Sequence, residues 1–156
     1  MITANKDQHF LFEVQLNWQE GTRGILTARD VNDLIHVAAS PDFEGGIQDM
    51  WSPEHLFLSA ICSCFMANYL AIAEKEKLTI AHFECSVIGQ ILLVEDHLEF
   101  TTINIFPKVF VKKEEDIVIA NEVLVKTYKQ SLIAHSIKPH LIHHGRVLLQ
   151  KQHLAN

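Results

Sequence analysis

In the stretch SPEHLFLSAICSCFMANYLAIAEKEK, residues 52–77, two cysteines stand two positions apart and a glutamate lies near the start. Thiols and a carboxylate on one apolar segment allow a nucleophilic thiolate, a metal site or plain packing. Cysteine is among the most buried residue types, so packing is the default for Cys62, Cys64 and Cys85 taken singly. On a helix, Cys62 and Cys64 point about 200° apart, so they cannot serve one pocket. A disulfide between them would violate bond geometry. Zinc needs further ligands, the remaining sulfur is Cys85 alone, and no CxxC or HExxH spacing is present. His140, His143 and His144 would alternate across two faces of a strand. No metal site and no cofactor are therefore expected.

A thiol that reacts at neutral pH must ionise, and a buried thiolate needs a cation or strong donors beside it. Arginine suits this, since it stays charged when buried and offers a fork that one carboxylate can hold. The candidates are Arg23 in GTRG, Arg29 and Arg146, with Glu54 as the clamp. Glu54 and Cys64 are separated along one helix by roughly 15 Å of rise, too far for one guanidinium to bridge. A site that joins Glu54, an arginine and a thiol therefore calls for two copies of the helix, and so for a dimer with shared sites.

The elements that must position these groups can be read from periodicity. Ser52 is a good N-cap, Pro53 fits the first helical position and Glu54 sits in the positive field of the first turn. The following run is apolar nearly all round as far as EKEK, which predicts a central helix covered on several sides. Before it, Phe10, Phe12, Val14, Leu16 and Trp18 fall on every second position, the period of a strand over His9 to Trp18. ILTARD and LIHVAAS read as two further strands of a meander, and SPDFEGGIQDMW as a loop. After the helix, TIAHFECSVIGQILLV and HLEFTTINIFPKVFV form a hairpin through ED. Gly89 and Pro107 predict a bulge or an exposed edge within it. EEDIVIANEVLVKTYKQSLIAHS predicts a second amphipathic helix, with Ile117, Ala120, Val123, Leu124, Leu132 and Ile133 inward, and PHLIHHGRVLLQ a closing strand. The expected order is β-β-β-α-β-β-α-β, an α+β fold of antiparallel sheet and two long helices.

The 156 residues, 48% of them hydrophobic, are enough for a single domain over 1–156. A net charge of −6 with scattered lysines excludes a broad basic surface, so no nucleic-acid partner is expected. The odd cysteine count and the lack of a cationic, then apolar, leader predict a cytoplasmic location. Leu56 to Ala73 approaches the length of a membrane span, but Ser59, Ser63 and Asn68 interrupt it, so a core helix and no membrane partner are expected.

SPEHLFLSAICSCF resembles the (N/S)PE-x-L-(x7)-C-F signature of the OsmC/Ohr family, the osmotically inducible and organic hydroperoxide resistance proteins, and the element order matches nearly the whole chain. The resemblance implies an OsmC-like α+β fold in an intertwined homodimer with sites at the subunit interface. It implies Cys64 as the peroxidatic cysteine, Glu54 as the acid of the motif and Arg23 as the thiolate-stabilising arginine. The substrate would be a small apolar organic hydroperoxide. Where family peroxidases carry a second, resolving cysteine in a segment like CLISNSIK, this chain reads SLIAHSIK, with Ser131 in that position. The implied peroxidase therefore needs an external small thiol or dithiol to reduce the sulfenic acid. Two other readings remain: a non-enzymatic redox sensor or binder of apolar small molecules, and a fold relative whose Cys64 is only core.

Overall fold

Ser52 starts the long helix as its residue type predicts. Its Oγ accepts the backbone N–H of His55 at 3.4 Å, and His55 Nδ1 lies 3.3 Å from the Ser52 N–H, a reciprocal cap. From there α1 runs Pro53–Lys75. In the computed structural model, which describes residues 9–150, the chain forms two compact units that divide between Phe57 and Leu58.

The N-terminal unit carries a three-stranded antiparallel meander of β1 (Val14–Glu20), β2 (Arg23–Ala28) and β3 (Ile35–Val37). The strand expected from His9 begins later, at Val14, and every residue of β1 is exposed, Trp18 at 73%. Its alternation is that of a covered strand, yet neither face is covered in the single chain. The loop after β3 is held down by Ala38 N–H donating to the Trp51 carbonyl at 2.9 Å and by Thr22 Oγ1 donating to the Gly45 carbonyl at 2.7 Å. Gly46 is required there: a Cβ would lie 2.0 Å from the Ser40 carbonyl oxygen.

The C-terminal unit is built on β4 (Ile80–Val94) and β5 (His97–Val111), the predicted hairpin, turning through Glu95 at φ 56°. On the far side of β5, β6 (His140–His143) and β7 (Arg146–Leu149) pair with it in parallel, so the sheet is mixed rather than wholly antiparallel. The cause is the crossover: α2 (Asp116–Gln130) carries the chain back to the end of β5 from which both short strands run alongside it. Register shifts lie near Gly89, between Gln90 and Ile91, as the glycine predicted. Pro107 is not at an exposed edge. It is buried, in the gap between the β6 pairing that ends at Ile105 and the β7 pairing that starts at Lys108, where its missing N–H leaves no ladder bond unmade.

Two of the expected elements are each divided. The second helix stops at Gln130, Ser131 turns extended at ψ 114°, and α3 (Leu132–His135) restarts with Ser131 Oγ accepting the Ala134 N–H. Serine favours such a cap over a helix interior. The restart leaves Leu132 68% exposed rather than inward. The closing strand is likewise broken at His144 and Gly145 into β6 and β7.

The core of this unit is regular. Ile103, Ile105, Pro107, Val109 and Val111 alternate inward on β5, and Ala120, Val123, Leu124 and Thr127 face them from α2 at helical spacing. On α1 the buried residues are Ile61, Phe65, Tyr69, Ile72 and Ala73, one stripe rather than the whole circumference. Phe65 stacks near Phe83 and Tyr128, with centroids 6.4 and 5.2 Å away. The opposite side, including Met66 and Leu70, is open. By length and mean hydropathy α1 would pass for a membrane span; its aromatic stripe packs on Phe83 of β4 and Tyr128 of α2.

Candidate functional site around Cys64

Cys64 and Cys62 flank the buried stripe of α1 on opposite sides, as their spacing demands. Cys64 is half-buried, and Asn68, one turn on, donates from Nδ2 to its Sγ at 3.4 Å. Across from it stands Ser131, buried at the break between α2 and α3, with Oγ 3.7 Å from Sγ. Because Ser131 Oγ already accepts the Ala134 N–H at 3.3 Å, its own proton is free to point at the sulfur. An amide and a hydroxyl are thus placed to meet negative charge on Cys64. Asn68 was legible only as an interruption of the apolar run; its i, i+4 spacing from Cys64 was the signal for more.

Of the other site candidates, Glu54 belongs to the N-terminal unit. Its Oε2 is buried and has no hydrogen-bond partner among the described residues. A buried carboxylate oxygen without a donor is costly. Arg23 opens β2, with Nη1 3.4 Å from Glu20 Oε1 and a side chain 45% exposed. Arg29 lies 3.9 Å from Asp30 on the surface, and Arg146 opens β7 with an exposed side chain. The structure thus gives Cys64 the partners Asn68 and Ser131 within its own unit, while Arg23 and Glu54 are placed in the other.

On the far side of the stripe, the Cys62 thiol donates to the backbone carbonyl of Cys85 at 3.3 Å. Burial, with smaller contributions from the neighbouring Cys62, pushes the Cys85 thiol up to about 12. A thiol held protonated is a poor nucleophile, so Cys85 is not the place for attack on an electrophile at neutral pH. Behind Phe65, His143 stacks on Tyr128 at 4.0 Å between centroids. Burial first, then the charges of His144 and His140, hold His143 below its ordinary value.

Residues 46–143 match the family of OsmC-like proteins. The chain belongs to that family. Solved structures agree on the fold. The OsmC-like protein of unknown function from Vibrio cholerae superposes with a TM-score of 0.75 at 15% identity, covering 91% of this chain and 100% of that one. An organic hydroperoxide resistance protein from Elizabethkingia anophelis, with thiocyanate bound, gives 0.71 at 12% identity over 92% and 99%. The organic hydroperoxide resistance protein of Bacillus subtilis gives 0.64 at 16% identity over 89% and 98%. No curated protein matches the sequence. The α+β fold of this OsmC-like protein, with its two long helices, is therefore shared with proteins named for hydroperoxide resistance as well as with one of unknown function.

Proposed function

We propose that this OsmC-like protein is a thiol-dependent peroxidase for small apolar organic hydroperoxides, working as a homodimer. The observation that carries the reading is the setting of Cys64: a half-buried sulfur on the family motif with Asn68 and Ser131 directed at it. The Cys64 thiolate attacks the distal peroxide oxygen, the O–O bond breaks, and the leaving alkoxide takes a proton to become the alcohol. Cys64 is left as sulfenic acid. With Ser131 opposite, no internal thiol can displace the hydroxyl, so an external dithiol attacks the sulfur, expels water and then closes on itself, returning the thiol.

Arg23, held by Glu54, supplies the positive charge for the thiolate and the leaving oxygen. The buried Oε2 of Glu54, which has no donor among the described residues, supports this role. The uncovered apolar alternation of β1 supports a second copy of the chain as its cover. The test is turnover of cumene hydroperoxide with dihydrolipoamide. The wild type should turn over and Cys64→Ser should not; equal slow rates for both would overturn the reading.

A second reading, a one-shot redox sensor, is favoured by Ser131 itself, since a sulfenate without an internal partner persists or oxidises further. Mass spectrometry after one equivalent of peroxide separates the two. A lasting sulfenic or sulfinic adduct on Cys64 without turnover points to the sensor.

A further inference from the structure

The chemistry proposed at Cys64 leaves the other two cysteines unused. Cys62 and Cys85 come together across α1 and β4 and line a cleft of about 310 Å³ with Ser59, Ser63, Met66 and Phe83. Three of its six lining residues carry sulfur. Cys62 and Met66 are one turn apart on the same side of α1, at i and i+4, and Cys85 faces them from an inward position of β4 between exposed Glu84 and Ser86. The Cys62 thiol already lies 3.3 Å from the Cys85 carbonyl oxygen.

We propose that Cys62, Cys85 and Met66 form a binding site for a soft monovalent cation, Cu(I). The donor set decides the metal. No carboxylate or imidazole lines the cleft, and its only side-chain oxygens are the uncharged hydroxyls of Ser59 and Ser63, a poor match for a hard cation. Among the described residues there is no group of three histidine, cysteine, aspartate or glutamate side chains, so the four-coordinate shell of a structural zinc is not available. Two thiolates and a thioether are the ligands that select Cu(I). Two thiols would lose their protons to solvent as one Cu(I) enters, leaving a bis-thiolate complex of one negative charge, with the Met66 sulfur as the weaker third donor. The open side of α1 at Met66 gives the ion its path. No electron changes hands, so neither oxidant nor reductant is required.

The test is an anaerobic titration of the fully reduced, full-length protein with Cu(I) in competition with a chromophoric Cu(I) chelator. The wild type should withdraw one Cu(I) per chain and show a thiolate-to-metal absorption band. Cys62→Ser and Cys85→Ser should each lose that binding, Met66→Leu should weaken it on the order of tenfold, as loss of a supporting ligand does, and Cys64→Ser should keep it. X-ray absorption of the loaded wild type gives a reading independent of how the variants fold, and a first shell of sulfur alone is expected. Failure of the wild type to withdraw Cu(I), a shell containing nitrogen, or binding lost in Cys64→Ser and kept in Cys62→Ser would each overturn the proposal.

Discussion

Cys62 and Cys64 share one helix and the border of one buried stripe, yet what lies across from each sulfur differs completely. Cys64 looks onto an amide and a hydroxyl, both able to donate to it. Cys62 looks onto a second thiol and a backbone carbonyl, and itself serves as donor. As a general rule, donors to a sulfur favour its charged form and an acceptor favours the protonated one. Burial alone therefore does not distinguish the two, because both are half-buried.

The comparison can be broken most sharply by exchanging the thiols. Cys64→Ser is expected to abolish hydroperoxide turnover, while Cys62→Ser should leave it within about twofold, measured as alcohol formed per chain, since only the Cys64 sulfur would attack the peroxide. A smaller effect is expected at the donor. Asn68→Ala removes the donor to Cys64 Sγ; with the proposed thiolate, hydrogen bonds of that class contribute about 1.5–3 kcal/mol, so alkylation of Cys64 at neutral pH should slow by at least roughly tenfold. An unchanged rate would mean that the amide does not serve the sulfur.

Ser131→Cys probes the facing position. At 3.7 Å from Cys64 Sγ, a thiol there should form a disulfide with Cys64 after one equivalent of peroxide, detected by mass, and relieve the need for an external thiol in the first reduction step. The same change removes the α3 cap and should lower stability by about 1 kcal/mol in a denaturant titration.

The smallest effect concerns the scaffold behind Phe65. His143 is held below its ordinary value of 6.5, chiefly by burial. The unfolded chain then binds its proton first as pH falls. The histidine's contribution is present above that ordinary value and is lost as pH drops through the lower, folded one. The melting temperature should decline between about pH 7 and 5, and His143→Phe, which keeps the stack on Tyr128, should flatten the decline.

Much of this was legible in residue types. Ser52, Pro53 and Glu54 mark the start of α1 because capping is local chemistry, and the β4–β5 hairpin follows from two apolar runs around a polar pair. The motif around Cys64 was legible through its resemblance, and position 131 was singled out for the same reason. The break of the second helix at Ser131 was not, because a serine there reads equally as interior or cap until the backbone chooses. Nor was the parallel pairing of β6 and β7, since strand direction depends on where a crossover returns the chain. Asn68 read as a polar interruption because nothing in the sequence says what its amide will meet.

By itself the sequence determined the α+β class, the long helix, the hairpin, and the fact that Cys62 and Cys64 must face opposite ways, all consequences of local dihedral preference and side-chain period. Only the tertiary structure decided what each thiol faces. Cys85 lies on a strand and Ser131 at a helix break, each distant in sequence from the thiol it meets, and such pairings are set by how helix and sheet pack together rather than by any short-range rule.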